Sequence, residues 1–263
     1  MGIIKTDSIH YENVAAKIRE KTNGASTYKP SQMPSGIEEV YEAGMDVALD
    51  AAWEGIQQGG TRVNYSNFFR GEWWDETNFR PKYDMRPTGT GATTMFDRFG
   101  GQANTSSKSI DLAKIFEDCG VVLDTSQCTG MANLFYYSSV SHVPIISVES
   151  YIATVGIFGG CTKLKTIDGF VLRDDGMNTF SGTFGSCYEL ENIRIFGVIG
   201  NDIDFKACHK LTKASIENIM SHLSPTATFT VTLSQEAVNN AYTTDEWQAV
   251  IDAKPENVTV SLV

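Results

Sequence analysis

The sequence offers few of the arrangements on which catalysis is usually built. It contains no G-x-S-x-G nucleophile elbow, no P-loop, no H-E-x-x-H metal motif and no EF-hand loop. Its four histidines, His10, His142, His209 and His222, are scattered along the chain. Cys208 and His209 are adjacent, but neighbouring side chains on a turn point apart, which disfavours a Cys-His dyad. We therefore expect no enzymatic activity, no bound metal and no cofactor.

Positive charge and long apolar runs are also scarce. The 263 residues carry 21 Lys and Arg against 32 Asp and Glu, a net charge of −11, with no basic cluster. Such a chain repels nucleic-acid phosphates and anionic lipid surfaces. No run of 18 apolar residues is present to span a bilayer, and the opening MGIIKTDSIHYENV lacks the pattern of a secretory signal. We expect no nucleic-acid binding, no membrane insertion and no Sec export.

The acidity is explained by a surface that promotes solubility. Two acidic pairs, Asp174-Asp175 and Asp202/Asp204, could bind Ca²⁺ in loops, although ordinary solvated turns are the favoured interpretation. A hydrophobic fraction of 41%, with 14 Phe and 10 Tyr, excludes wholesale disorder. The organisation of the chain must therefore be sought in its apolar residues.

What the sequence does contain is an internal repeat built on phenylalanine. A phenylalanine recurs after a mostly apolar or small residue, in steps of 20, 19, 23, 26 and 21 residues. The recurring residues are Phe96, Phe116, Phe135, Phe158, Phe184 and Phe205. Such spacing is typical of stacked coils, in which each coil buries its apolar edge only against its neighbours. We expect these rings to form one row through the core.

Four of the five cysteines lie three residues after one of these phenylalanines. They are Cys119, Cys161, Cys187 and Cys208, and in the three best copies a leucine follows three residues later, at Leu164, Leu190 and Leu211. A disulfide or zinc framework needs cysteines in pairs or fours, whereas each repeat here has one. Buried free thiols are the favoured interpretation, with disulfide or metal roles as the alternative. Cys128, outside the rule, is the thiol that we expect to be accessible.

Candidate strands rich in β-branched residues follow the repeats. They lie at residues 109–112, 121–126, 143–148, 166–172 and 192–199. Together with the phenylalanine repeat they predict an α/β repeat solenoid over residues 95–216, with a parallel β ladder and short helices or turns behind it. The 26-residue step predicts an insertion bulge near residues 173–183.

The two ends of the chain differ from the repeats. Residues 1–58 show two amphipathic patterns, which predict a helical hairpin for attachment or oligomerisation because two such helices alone bury little surface. Residues 59–94 are rich in aromatics and would cap the start of the stack. Residues 217–263 would close it as a small α+β unit, with a capping box at Thr243 and Glu246.

Five aromatic residues are candidate binding residues. Trp73 and Trp74, in the first cap, form either cap core, which is favoured, or a sugar-stacking site. Tyr136, Tyr137 and Tyr151 follow the repeat positions and could form an exposed platform for a sugar or an anchor for a protein. Packing into the edge of the stack is the favoured alternative for these tyrosines.

The best copies, FGGCTKLKTI, FGSCYELENI and FKACHKLTKASI, resemble BspA-type leucine-rich repeats over about residues 93–216. The closing segment SIENIMSHL…VTLSQEAVNNAY…DEWQAVIDAK…VTVSLV resembles the unit that follows such repeats in proteins of bacteriophages and prophages of gut Firmicutes. The opening YENVAAKIREKT…YKPSQMPSGIEEV resembles a short module at the start of phage tail-associated proteins. The resemblance covers nearly the whole chain.

This resemblance implies a leucine-rich-repeat-like fold and a virion protein of a tail fibre or the baseplate region. Such a protein would bind a host cell-surface glycan or protein and dock to other tail proteins through its N-terminal helices, by analogy as a homotrimer. The resemblance brings no catalytic residues. Because similar repeats occur in bacterial surface adhesins, a bacterial surface or secreted adhesin is the alternative, and a glycan-active enzyme is a distant third.

Overall fold

The computed structural model describes residues 65–66, 69–72, 74–77, 79–81, 84–151 and 153–263. All of them belong to one compact unit, residues 62–263. The predicted N-terminal helical hairpin, its role in attachment and trimer formation, and Trp73 lie outside the described residues.

A five-stranded parallel sheet forms the centre of this unit. Its strands are β1 (Ile110–Asp111), β2 (Val140–Val143), β3 (Ile146–Ser147), β4 (Thr166–Val171) and β5 (Asn192–Phe196). β2 and β3 pair with one edge of β4, β5 pairs with the other, and β1 pairs with β2. In β5 the residues alternate between exposed and buried, as expected for a strand with one face in the core.

A second, three-stranded parallel sheet lies at the C-terminal end. It consists of β6 (Ile203–Phe205), β7 (Phe229–Leu233) and β8 (Val258–Leu262), with β7 in the middle. The alternating sequence FTVTL of β7 buries Phe229, Val231 and Leu233. β7 and β8 lie within the predicted C-terminal α+β unit of residues 217–263, whereas β6 lies before it in a segment for which no strand is predicted.

Four helices occur in the described part of the chain. They are α1 (Leu112–Cys119), α2 (Lys213–Ser221), α3 (Gln235–Ala241) and α4 (Thr244–Ala253). Each begins after a side chain that accepts a hydrogen bond from the first turn, namely Asp111, Thr212, Ser234 and Thr243 respectively. The predicted capping box of Thr243 and Glu246 is present at α4, and α3 was not predicted.

A row of stacked phenylalanine rings runs through the core. Adjacent members have ring centroids 4.5 to 5.7 Å apart and interplanar angles of at most 24°. The members of this phenylalanine row are Phe69, Phe96, Phe135, Phe158, Phe184 and Phe205. All six side chains are at most 1% exposed, so the row contributes a large share of the buried apolar surface.

The backbone turns around these phenylalanines are also linked in register. The amide of Phe96 donates to the carbonyl oxygen of Leu134 at 2.8 Å, and the amide of Phe135 donates to Ile157 at 2.8 Å. The residues two before and two after the phenylalanine adopt positive φ in four turns. These residues are Thr94, Arg98, Asn133, Tyr137, Gly156, Gly160, Gly182 and, after Phe184, Ser186. Four turns thus share one backbone path.

The prediction that Phe116 and Cys119 belong to these rows is wrong. Phe96 stacks directly on Phe135, so the neighbour of one turn lies 39 residues further along, twice the predicted step. Residues 112–119 instead form helix α1, because Asp111 caps them and Leu112, Ile115 and Phe116 have the i, i+3, i+4 spacing of a buried helical face. The Phe116 ring packs edge-on against Phe79.

A cysteine row follows the phenylalanine row. The thiols of Cys161 and Cys187 donate to the carbonyl oxygens of Phe135 and Phe158, at 2.8 and 3.1 Å. Cys208 makes the corresponding contact with Phe184 at 4.0 Å. Each thiol thus bonds to the phenylalanine of the preceding turn. The leucines predicted beside this row are also buried: Leu164, Leu190 and Leu211.

The strand predicted at residues 121–126 is likewise wrong. Only Leu123 forms a bridge there, in parallel with Met85. The Asp124 side chain accepts a hydrogen bond from the amide of Ser126, which closes a local turn in place of extended backbone. In the 26-residue step, the amide of Arg173 donates to the side chain of Asn178 at 2.8 Å and closes the loop between them.

Candidate functional site

The outward face of β4 and β5 presents an uneven set of side chains. The two strands pair as Ile167 with Ile193 and then Phe170 with Ile195, so Asp168 and Gly169 together oppose Arg194. An arrangement in which two residues of one strand face one residue of its neighbour is a β-bulge, and it changes the direction of the side chains at that point. The isoleucines and Phe170 point into the core, whereas Asp168 and Arg194 are exposed on the outward face.

Asp168 is held by a histidine on the neighbouring strand. Nε2 of His142 lies 2.7 Å from Oδ1 of Asp168, and its Nδ1 lies 3.1 Å from Oδ1 of Asp111. Burial lowers the pKa of His142, but the hydrogen bond to Asp168 and the negative charges of both aspartates outweigh burial, and the net pKa is raised. The three side chains form a charged bridge across β1, β2 and β4.

This bridge leaves Arg194 without the partner that lies opposite it. Asp168 is the natural cross-strand carboxylate for Arg194, but its side chain bonds to His142. Among the described residues, no carboxylate or carbonyl forms an ion pair or hydrogen bond with the Arg194 guanidinium. An arginine with five free donors on an acidic protein is available to a ligand.

Two apolar side chains meet beside this polar group. A Cβ atom on Gly169 would lie 3.0 Å from Cε2 of Phe196 and 3.2 Å from Cγ1 of Ile145. A larger residue at this position would require these two side chains to shift by a few tenths of an ångström. Phe196 is 44% exposed and Ile145 is 53% exposed, so they form a small apolar surface in contact with solvent.

Helix α2 forms the wall of the site by completing the edge of β5. The amide of Ile193 donates to Oγ of Ser215 at 3.1 Å, and the amide of Ile195 donates to Oδ1 of Asn218 at 2.6 Å. Side chains of α2 thus take the place of a further strand. This protects the edge of the sheet and fixes the helix beside β5.

Between these elements lies a groove with a volume of about 580 Å³. We call it the sheet-face groove; its lining residues are Ile145, Thr166, Ile167, Asp168, Asn192, Ile193, Arg194, Ala214, Ser215 and Asn218. Its volume lies within the range of small-molecule sites, about 300 to 1,000 Å³. Carboxylate, amide, guanidinium and hydroxyl groups line it, and Phe196 stands beside it.

A second groove of about 620 Å³ lies over β6 and β7. Its polar groups are largely engaged, because Asp202 accepts a hydrogen bond from the amide of Thr230 at 2.7 Å and Asp204 pairs with Lys206 at 2.9 Å. Phe180 and Phe229, which line it, are each only 5% exposed. The sheet-face groove therefore has the stronger features of a binding site.

The two acidic pairs, for which Ca²⁺ binding was the less favoured interpretation, do not gather metal ligands. Asp175 binds the Arg173 guanidinium through both carboxylate oxygens, and this hydrogen bonding lowers the pKa of Asp175 to about 2. Asp202 and Asp204 are engaged as described above. Within the described residues, no group of three or more His, Cys, Asp or Glu side chains is arranged to hold a metal ion.

For Tyr136, Tyr137 and Tyr151, the structure favours packing, the expected arrangement, over an exposed aromatic platform. Tyr136 and Tyr137 are half-buried, with ring centroids 4.5 Å apart, and they lie over Gly159 and Gly160 of the next turn. Tyr151 is buried and so cannot belong to an exposed platform. The side-chain amide of Asn178 donates hydrogen bonds to the carbonyl oxygens of Val148 and Tyr151, which fixes the backbone at this position.

Trp74, predicted as cap core or sugar site, is 7% exposed. Its ring packs edge-on against Phe69 at 5.2 Å and Phe79 at 5.9 Å, and it stacks on Phe99 at 6.4 Å. A ring enclosed on three sides has little surface left for a ligand. Trp74 therefore belongs to the core.

The prediction that Cys128 carries the accessible thiol is wrong. Cys128 is fully buried, where its thiol donates to the carbonyl oxygen of Pro87 at 3.3 Å and burial raises its pKa to about 12. Burial also raises the pKa values of Cys161, Cys187 and Cys208. Cys119, at the end of α1, is the partly exposed thiol, and all five cysteines are free.

The residues of the sheet-face groove were missed in the sequence. The alternation in NIRIF was available and indicates that Asn192, Arg194 and Phe196 share the outward face of a strand. Neither the bulge at Asp168 and Gly169 nor the contribution of α2 has a signal in the sequence, because both depend on pairing between distant segments.

No protein-family model, no curated protein and no solved structure matched this chain. In the part of the chain that the structure describes, no helix is both long enough and apolar enough to cross a membrane. The function therefore has to be argued from the groove itself.

Proposed function

We propose that this chain is a non-enzymatic phage tail-associated protein that binds the host cell surface through the sheet-face groove. In this proposal the turns of the phenylalanine row are coils of a leucine-rich-repeat-like solenoid, closed at the C-terminal end by β7, β8 and the last helices. Residues 1–58 attach the chain to other tail proteins, as a homotrimer.

The solenoid interpretation is supported by the common path of the turns. The stacked rings, the in-register amide bonds and the positive φ values two residues before and after the phenylalanine recur from one turn to the next. In a stack of this kind the inward positions are committed to packing, so binding groups are placed on the outward strand face. The groove lies on that face.

One observation carries the binding proposal. Arg194, which has no partner among the described residues, lies in a groove beside a half-exposed phenylalanine on a protein of net charge −11. A cluster of aromatic and arginine side chains is the composition found at the energetic centres of binding surfaces.

The test is binding of the labelled full chain to host cells, compared between two charge reversals. Arg194→Glu changes the groove, and Lys206→Glu makes the same change of charge outside it. We expect Arg194→Glu to lower the bound fraction at least about tenfold, as for loss of a charged contact at a binding centre. Lys206→Glu should retain binding. Equal binding by both variants would contradict the proposal.

A further inference from the structure

We propose that the ligand of the sheet-face groove is a neutral saccharide of one or two sugar units, which rests on the function proposed above. The sugar places an apolar face against Phe196 and Ile145 and its hydroxyl groups toward Asp168, Asn192 and Arg194. The inference follows from the hydrogen-bonding groups, the apolar surface, the charge and the size of the groove.

The hydrogen-bonding groups match hydroxyls better than they match an ion. Asp168 can only accept and Arg194 can only donate, whereas the Asn192 amide does both, its Oδ1 already accepting from Oγ1 of Thr212 at 3.4 Å. In the register of the sheet, Asn192 lies beside Thr166, and Arg194 lies beside Asp168. A sugar hydroxyl donates one hydrogen bond and accepts others, so neighbouring hydroxyls satisfy such a mixed row.

The apolar surface has the shape of a shelf. Phe196 and Ile145 both approach Gly169, Ile145 lines the groove, and Phe196 lies on the same face of β5 as Arg194. A pyranose ring has one face of C–H groups, and such a face packs against an aromatic ring while the hydroxyls at its edge remain free for hydrogen bonds. The apolar shelf can therefore contact the C–H face of the sugar, while the polar row binds its hydroxyl groups.

The charges around the groove oppose either kind of ion. Asp111, His142, Asp168 and Arg194 are the charged or titratable groups along this row of the sheet. A carboxylate or phosphate would gain Arg194 but meet Asp168, whose second oxygen is not engaged by His142, and the net negative charge of the chain. An organic cation would meet Arg194. A neutral ligand is the class that suffers neither repulsion.

The size of the groove limits the ligand. A volume of about 580 Å³ accommodates one or two hexose units and lies in the range of small-molecule sites. Longer chains would extend into solvent past Ile145 or past α2. The groove therefore recognises a short part of any longer glycan.

The experiment is titration of the full chain with neutral hexoses, deoxyhexoses, N-acetylhexosamines and their disaccharides, followed by NMR. Uronic acids and sugar phosphates form the acidic arm. We expect at least one neutral sugar to bind, with an affinity that changes less than about twofold between 50 and 500 mM salt, because no ion pair is formed.

Phe196→Leu, which keeps an apolar side chain but removes the flat ring, should weaken binding about tenfold. Tyr188→Leu is the matched control, since Tyr188 is 46% exposed but, unlike Phe196, is not among the side chains nearest to Gly169.

Three results would overturn the inference. They are the binding of no neutral sugar, equal binding by Phe196→Leu and Tyr188→Leu, or preferential binding of an acidic sugar that falls steeply with salt. The cell-binding assay distinguishes these failures from failure of the proposed function. If cells still bind the parent chain and not Arg194→Glu, the groove is the site and the ligand class is wrong.

Discussion

The core around the phenylalanine row and the outward face of the five-stranded sheet differ in how regularly their side chains are arranged. Along the phenylalanine row, similar side chains recur at similar distances, and the thiols of Cys161 and Cys187 bond to backbone carbonyl oxygens of the preceding turn. On the outward face, the strands differ from one another, one carries a bulge, and Arg194 has no protein partner among the described residues. The regular part of the molecule is its packed interior, and the irregular part is the face on which we propose that a ligand binds.

The thiols provide the largest test of this contrast. Cys161, Cys187 and Cys208 should react with a thiol reagent only when the protein unfolds, because they are fully buried and burial raises their pKa values. We expect them to react at least about a thousandfold more slowly than Cys119. Cys128 should be protected as well.

The measurement is the time course of labelling of native protein, with the modified residues identified by mass spectrometry. Cys119→Ser should remove the rapid phase and leave the slow phase unchanged. Rapid labelling of any cysteine in the buried row would show that the interior opens more easily than its packing indicates.

Removal of one ring from the phenylalanine row should be the most destabilising single change considered. Phe158 stacks between Phe135 and Phe184, each 5.7 Å away, and is fully buried. Phe158→Ala should lower the free energy of unfolding by about 3 to 5 kcal/mol, measured by urea denaturation. Phe196→Ala, at an exposed position, should cost less than about 1 kcal/mol. Similar losses for both would remove the distinction between row and face.

A glycine in the turns tests the fit between neighbouring turns. Gly160 has a φ of +78°, and a Cβ there would lie 2.7 Å from the Tyr137 ring. Gly160→Ala should therefore lower the free energy of unfolding by about 1 to 3 kcal/mol, from backbone strain and displacement of the ring. Gly120 also has positive φ, at +65°, but open space around its Cβ position, so Gly120→Ala isolates the strain alone. Equal effects would show that Tyr137 is free to move.

The charged bridge on the outward face should give a small effect that depends on pH. The folded pKa of His142 is raised above its usual 6.5, so its stabilising contribution is fully present below about pH 6.5 and is lost as the pH rises through the folded value. Because the side chain is partly exposed, we expect about 1 kcal/mol or less.

The difference in unfolding free energy between the parent chain and His142→Gln should therefore shrink as the pH is raised from 5.5 to 8.5. A double variant, Asp111→Asn with Asp168→Asn, should remove most of this pH dependence. A difference that grows with pH would show that the histidine is stabilised in its neutral form.

The sequence predicts the interior of this molecule better than its surface. The phenylalanine and cysteine spacings place Phe135, Phe158 and Phe184 correctly, since a buried row requires the same residue type at every step. Phe116 was wrongly placed in the row because its spacing fits both the repeat and a helical face. The Asp111 side chain caps residues 112–119, which favours the helix.

The candidate site could not be predicted in the same way. Arg194 and Phe196 are visible in the sequence as alternate residues of a strand, but their importance depends on what lies opposite. The two-to-one pairing of Asp168 and Gly169 with Arg194, and the approach of Ile145 and Phe196 to Gly169, join segments that are up to 51 positions apart. Such contacts leave no periodic signal.

The most direct test of the central claim measures cell binding and stability on the same preparations of Phe196→Ala and Tyr188→Ala. These side chains are almost equally exposed, at 44% and 46%, and only Phe196 adjoins the sheet-face groove. We predict that both variants melt within about 2 °C of the parent chain, and that Phe196→Ala alone loses most of its binding to host cells. Full binding by Phe196→Ala, or equal losses by both variants, would contradict the assignment of function to the groove.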